Sequence, residues 1–150
     1  MINMSVSART RHAAFCLLLV LCAVGAAPRA AERVSPEDIP GSTKVDAEGL
    51  ISLVEEKPSL LIIDSRISSD RLQGHIEGSI SLPDERTNCD TLKEVIADKQ
   101  HPVLFYCNGP KCGRSAVAVQ IALGCGYKQV YWFRGGFEEW KQKKFPYVKE

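Results

Sequence analysis

Short apolar runs separated by mixed stretches dominate the pattern of hydrophobic and polar positions along this chain. Four of these runs predict strands, at residues 60–63, 80–82, 103–106 and 130–133, and Lys44-Val45 predicts a short edge strand. The stretches between them carry apolar residues at helical spacing. Because parallel strands need a crossover segment between them, this alternation predicts an α/β fold with helices on both faces of a parallel sheet.

The predicted helices have recognisable starting points. Asp46 and Asp90 are suitable N-caps for two of them, and a third opens at about Ser115. A last short helix follows the glycine pair Gly135-Gly136. Each predicted helix therefore lies between or after strands, where a crossover belongs.

The first residues have the order of a secretory signal peptide. Arg9 and Arg11 precede an uncharged apolar run at residues 13–24, and small residues follow up to Ala27. A membrane anchor is the alternative, but the run is shorter than the roughly 20 residues that span a bilayer. We expect cleavage after Ala27, export without stable membrane insertion, and a periplasmic location if the source is a Gram-negative bacterium or secretion otherwise. The predicted organisation is signal peptide 1–27, flexible segment 28–42 and one domain over 43–150.

Charge and cysteine content narrow the function classes. The chain has 19 basic and 18 acidic residues, a net charge of +1, and loss of Arg9 and Arg11 would bring it near −1. Such a balance gives no support to nucleic acid or an anionic membrane as a partner. Cleavage would leave an even set of four cysteines, Cys89, Cys107, Cys112 and Cys125, which suggests disulfides in an oxidising compartment without fixing the pairs. Their spacing is not that of a metal site.

The candidate chemistry lies where the strand at 103–106 delivers Cys107 into a loop that opens a helix. In open α/β sheets, ligands bind at the carboxyl ends of strands. A cysteine attacks as thiolate, and a helix N-terminus, inward amides and nearby cations favour that form. We therefore expect Cys107 to be a thiolate nucleophile in an anion cradle, whose members are Asn108, Gly109, Lys111, Cys112, Gly113, Arg114 and Ser115.

Two reaction types use a cysteine in such a loop, namely phosphate or arsenate chemistry and sulfur transfer through a persulfide. Cysteine phosphatases place five residues between the cysteine and the arginine, whereas six separate Cys107 from Arg114. Tyr106 also stands where those phosphatases usually carry histidine. The spacing therefore favours sulfur transfer over phosphatase or arsenate reductase activity.

Five sequence pieces in a fixed order resemble the rhodanese-like domains of single-domain type. They are LIIDSR at 61–66, GHIEGSISLP at 74–83, FYC at 105–107 with RSA at 114–116, GYKQV at 126–130 and GGFEEW at 135–140. The resemblance implies a five-stranded parallel sheet between helices, with Cys107 in the position of the persulfide-forming cysteine. It implies a sulfurtransferase that takes sulfur from thiosulfate or a related small anion, passes it to a thiophilic acceptor such as cyanide or a protein thiol, and needs no metal or organic cofactor.

The loop departs from the family pattern. Most rhodanese-like domains have five residues between the cysteine and the serine that starts the helix, and here seven separate Cys107 from Ser115. The enlarged loop contains Cys112, which could be an inert residue, a disulfide partner of Cys107 or a resolving thiol. A redox or binding module that uses the Cys107/Cys112 pair without sulfur transfer is therefore the alternative function.

Three polar residues outside the loop are weaker candidates. Asp64 and Arg66 end the strand at 60–63 and could support the site, although a structural salt bridge between them is at least as well favoured. His75 lies in a turn-rich segment, where a structural hydrogen bond is favoured over a role as catalytic base.

Overall fold

A computed structural model of the chain describes residues 34–149. Its sheet has five parallel strands in the order β1-β5-β4-β2-β3, and they are β1 (Thr43–Val45), β2 (Leu61–Asp64), β3 (Ile80–Ser81), β4 (Val103–Tyr106) and β5 (Val130–Phe133). The helices are α1 (Ala47–Glu56), α2 (Ser68–Arg71), α3 (Cys89–Val95), α4 (Arg114–Gly124) and α5 (Gly136–Gln142), with a 3-10 helix at Asp84–Arg86. The predicted α/β class and parallel sheet are confirmed.

Helices cover both faces of the sheet, and each face has its own apolar core. On one face, α3 and α4 pack against β2, β4 and β5 around Phe105, Val119 and Trp132. On the other face, α1 and α5 pack around Leu50, Leu104 and Phe133. Because β4 is buried on both faces, its sequence VLFY is continuously apolar. The sheet therefore holds the carboxyl end of β4, where Cys107 follows, on a rigid support.

Element boundaries follow the capping chemistry. Asp46 caps α1 as predicted, because its carboxylate accepts the Gly49 backbone N–H at 2.8 Å. The N-cap predicted at Asp90 is wrong, since Asn88 accepts the Asp90 and Thr91 amides and α3 begins at Cys89. A capping box between Asn88 and Thr91 outweighs the acidic side chain two residues after the N-cap.

The segment expected to be flexible over residues 28–42 is packed where the structure describes it. We call residues 34–42 the N-terminal segment. Ile39 is buried in the α3/α4 core. Ser35 is also buried, and its backbone N–H donates to the Pro110 carbonyl at 3.0 Å. Arg134, which follows β5, donates to the Pro36 carbonyl at 2.7 Å. These contacts hold a part of the chain that has no regular structure of its own, in place of the extended tether that we expected.

Cys89 and Cys125 form a disulfide that joins the start of α3 to the end of α4. Their Cα atoms lie 5.5 Å apart, although 36 positions separate them in the sequence. The predicted signal peptide, with Cys16 and Cys22, lies outside the described residues. Within residues 34–149, no helix has the length and apolar character that crossing a membrane requires.

Candidate functional site

The candidate site is the loop that runs from Cys107, after β4, to Arg114, where α4 begins. Cys107 is 1% exposed and Cys112 is 8% exposed, and both carry free thiols. The Cys112 backbone N–H donates to the Gly109 carbonyl at 2.9 Å, so the loop turns back toward the strand end. In this conformation both sulfur atoms lie beneath the protein surface.

Cys107 is held from the helix side by Ser115 and Trp132. The Ser115 hydroxyl donates to the Cys107 sulfur at 3.3 Å, and the Trp132 indole N–H donates to the Ser115 oxygen at 3.1 Å. The Cys107 thiol donates in turn to the Cys112 carbonyl at 2.8 Å. Ser115, predicted as part of the cradle, is thus a direct partner of the nucleophile candidate.

The start of α5 fixes the backbone of the same loop. The amides of Phe137 and Glu138 donate to the carbonyls of Cys107 and Asn108 at 2.9 and 2.7 Å. Gly136 has a φ of +58°, and a Cβ atom there would collide with the Cys107 carbonyl oxygen. Only glycine therefore lets α5 approach this closely. The role of Gly136 was missed in the sequence, although the Gly135-Gly136 pair belongs to the motif that carried the family resemblance.

The pKa values of the two thiols are shifted in opposite directions. The pKa of Cys107 is raised, whereas we expected the loop to lower it. Burial, followed by the hydrogen bond and the charge of Cys112, raises the pKa of Cys107 well above its ordinary value. The hydrogen bond with Cys107 lowers the pKa of Cys112 to about 6, with help from the Arg114 and Asn108 amides and against the effect of burial. These shifts favour the anion on Cys112, next to the loop amides and the positive charge, whereas we expected it on Cys107, and the role of Cys107 as nucleophile stays a prediction.

The predicted cradle residues are in one loop, and its two cations, Lys111 and Arg114, have different surroundings. Arg114 is 8% exposed, and its Nη1 contacts Asp84 Oδ1 at 2.5 Å in a buried ion pair. We expected Arg114 to help bind a substrate anion; its pairing with Asp84, 30 positions earlier, balances part of its charge, and the anion-binding role stays a prediction. Lys111 is exposed on the loop. Asn108 is held by Asp70, which accepts its side-chain N–H at 2.8 Å.

Asp64 and Arg66 form a structural pair beside the loop. Arg66 donates to the two Asp64 carboxylate oxygens from Nε at 2.9 Å and Nη2 at 2.6 Å. The Tyr106 hydroxyl donates to the same carboxylate at 2.7 Å, and the guanidinium lies 4.4 Å from the Phe137 ring centre. These contacts support the salt-bridge interpretation, in which the pair braces β2, β4 and α5 beneath the loop. His75 makes a backbone bridge with Val148, with N···O distances of 2.9 and 3.0 Å.

Ser35 is a site residue that sequence reasoning missed. Its hydroxyl donates to the Cys112 carbonyl at 2.7 Å, which is the same oxygen that accepts the Cys107 thiol. No motif or periodicity marks this serine in the sequence. Among residues 34–149, no group of three or more His, Cys, Asp or Glu side chains is placed to hold a metal ion.

The sequence and the fold of this chain are similar to those of known proteins. The chain is 26% identical over 114 residues to the uncharacterized protein YibN of Escherichia coli K12. This match covers 75% of this chain and 78% of that protein. The solution structure of the rhodanese-like domain of Alr3790 from Anabaena is 26% identical with a TM-score of 0.63, over 73% of this chain and 80% of the other.

A thiosulfate sulfurtransferase from Pseudomonas aeruginosa has the same fold. It is 23% identical with a TM-score of 0.63 and covers 72% of this chain and 20% of its own. The family model for the rhodanese-like domain matches residues 46–143, which include all five α-helices and the candidate loop. The chain therefore belongs to the rhodanese-like domain family.

Proposed function

We propose that this protein is a sulfurtransferase that moves a sulfane sulfur from thiosulfate, or a related small anion, to a thiophilic acceptor through a persulfide on Cys107. The observation that carries the proposal is the position of Cys107 at the carboxyl end of β4, with the Ser115 hydroxyl 3.3 Å from its sulfur at the start of α4. Family membership supports it, and so does the shared fold of a protein named thiosulfate sulfurtransferase.

The first step uses the unequal proton sharing of the two thiols. Near neutral pH the pair holds one proton, on Cys107, and Cys112 is the thiolate. As Cys107 attacks the outer sulfur of thiosulfate, its proton passes to Cys112, which acts as the general base. The S–S bond of thiosulfate breaks and sulfite leaves with the electron pair.

Loop groups would stabilise the charges of this step. The N–H groups at the start of α4 and the hydroxyl of Ser115 are placed near the Cys107 sulfur, where the persulfide anion forms. Lys111 is the exposed cation of the loop and would attract the incoming dianion, while Arg114 contributes a charge already shared with Asp84. Because Cys107 is buried, the loop has to open for the donor to enter.

Release of sulfite tests the first step alone, whatever happens to the sulfur afterwards. Fully reduced protein mixed with thiosulfate should release one equivalent of sulfite per chain, and Cys107→Ser should release none. The double variant Cys89→Ser/Cys125→Ser removes two sulfur atoms away from the loop and should keep the release. Sulfite release that survives Cys107→Ser, or none from the wild type, would contradict the proposal.

We also propose that the protein is exported. The apolar run at residues 13–24 supports this, and so does the Cys89–Cys125 disulfide, since structural disulfides persist in oxidising compartments.

A further inference from the structure

Transfer of sulfur through a persulfide needs one cysteine, yet the candidate loop contains two. Cys107 and Cys112 are the free thiols of the described part of the chain, because Cys89 and Cys125 are joined to each other. Both free thiols are more than nine-tenths buried, so Cys112 is not a solvated loop residue. Its burial beside Cys107 makes it a candidate participant in the chemistry of the site.

The structure fixes Cys112 against Cys107 from several directions. The Cys107 thiol donates to the Cys112 carbonyl at 2.8 Å, and the Cys107 side chain is the largest cause of the lowered pKa of Cys112. Ser35 holds the same carbonyl at 2.7 Å, and the turn from Gly109 to Cys112 closes at 2.9 Å. A sulfur atom added to Cys107 would therefore form within reach of the Cys112 thiol.

We propose that Cys112 resolves the persulfide on Cys107, releasing hydrogen sulfide ion and forming a Cys107–Cys112 disulfide. The inference rests on the proposed function, because it requires a persulfide on Cys107. It makes the protein a thiosulfate reductase that uses an external dithiol, so the acceptor is a dithiol rather than cyanide or a single thiol.

Atoms and electrons balance in this sequence. After sulfite leaves, Cys107 carries the persulfide anion and Cys112 carries the proton that it accepted. The Cys112 sulfur attacks the inner sulfur of the persulfide, the bond to the outer sulfur breaks, and that sulfur departs as HS⁻ with the proton of Cys112. The outer sulfur is reduced and the two cysteines are oxidised. A dithiol reductant, either a small molecule or a protein, then attacks the disulfide, is itself oxidised and returns the pair to its starting state.

The fate of the sulfur in a single turnover tests the inference. The protein is reduced, the reductant is removed under anaerobic conditions, and one equivalent of thiosulfate is added. In the wild type, one equivalent of sulfide should appear together with sulfite, and the chain should become about 2 Da lighter through a disulfide that maps to the Cys107/Cys112 peptide. Cys112→Ser and Cys112→Ala lack the general base of the first step, so sulfite should appear more slowly, and at completion these chains should have gained about 32 Da as a stable persulfide without releasing sulfide.

The possible results separate this inference from the proposal that it extends. A wild-type chain that keeps the gain of about 32 Da and releases no sulfide would overturn the inference and leave sulfur transfer through Cys107 standing. Sulfite release that does not depend on Cys107 would overturn both. A wild-type circular dichroism spectrum of each Cys112 variant, together with the persulfide that it forms at completion, shows that the loss of sulfide is not caused by unfolding.

Discussion

At the scale of the residue, the two buried thiols of the loop have pKa values that are shifted in opposite directions. Hydrogen bonding from Cys107 and from two backbone amides lowers the pKa of Cys112 to about 6, so its thiolate fraction rises as the pH increases through this value and is lost below it. We expect iodoacetamide to label Cys112 before Cys107, with a rate that increases between about pH 5 and 7 and then levels off. Peptide mapping after timed labelling measures this profile.

The control for this profile is the partner thiol. The hydrogen bond with Cys107 is the largest cause of the lowered pKa of Cys112, so Cys107→Ala should move the midpoint upward toward the ordinary cysteine value. A wild-type midpoint near that ordinary value, or preferential labelling of Cys107, would show that the charge is not on Cys112.

Gly136 gives a second residue-scale prediction. Its φ of +58° and the collision between an added Cβ and the Cys107 carbonyl make Gly136→Ala both strained and crowded. We expect a loss of about 2–4 kcal/mol in the free energy of unfolding in urea and at least a tenfold loss of sulfite release. The matched variant Gly124→Ala, at the end of α4, meets no atom within 4 Å and should keep both. Equal stability of the two alanine variants would contradict this account.

How far the sequence predicts the site differs from residue to residue. The position of Cys107 followed from an apolar strand that ends in a glycine-containing loop, and this pattern is local. The ion pair of Arg114 with Asp84 and the hydrogen bond from Ser35 to Cys112 join residues 30 and 77 positions apart, so no local pattern could reveal them. The direction of proton sharing depends on burial and on which sulfur the amides face, which spacing does not determine.

At the scale of the element, the apolar runs predicted the strands because a parallel sheet buries both faces of its central strands. β4 and β5 have the predicted bounds, and the remaining strand ends differ by about one residue. The N-terminal segment was not predicted, because it has no periodic pattern and its order comes from contacts with the loop, with Arg134 and with the α3/α4 core.

The N-terminal segment should control how often the loop opens. Ser35 links the segment to the loop through the Cys112 and Pro110 carbonyls. Removal of the buried hydroxyl in Ser35→Ala costs about 1 kcal/mol of loop closure, which corresponds to roughly a fivefold larger open population. At a pH where the labelling rate of Cys112 has levelled off, we expect Ser35→Ala to be labelled about fivefold faster than the wild type.

Ser42→Ala is the matched control for this prediction. Its hydroxyl donates to the Ile39 carbonyl at 2.9 Å within the same segment and does not contact the loop. Its labelling rate should equal that of the wild type. If both variants or neither became faster, the contact between Ser35 and the loop would not be what limits access.

At the scale of the whole molecule, the Cys89–Cys125 disulfide connects two helices on one face of the sheet across 36 positions. A loop of this length corresponds to a stabilisation of about 2–4 kcal/mol in the chain-entropy account. We expect Cys89→Ser/Cys125→Ser to lower the melting temperature by on the order of 10–20 °C. Cys107→Ser/Cys112→Ser, which replaces the same number of cysteines without breaking that disulfide, should melt within a few degrees of the wild type. A similar loss in both double variants would argue against a specific role of the disulfide.

The disulfide and the free pair have opposite redox requirements, and the proposed export would place both in one compartment. Structural disulfides persist in oxidising compartments, whereas Cys107 and Cys112 must be reduced to act in the proposed chemistry, so under the proposed export the inferred dithiol reductant would have to reach the protein there. We expect the chain of residues 1–150 produced in a Gram-negative host to be recovered from the periplasm. Its mass should be that of a chain beginning at Pro28, with the Cys89–Cys125 disulfide formed. The chain without residues 2–27 should stay in the cytoplasm with Cys89 and Cys125 reduced, as thiol trapping and peptide mapping would show. Uncleaved protein in the cytoplasm from both forms would refute export, and the disulfide would then need another explanation.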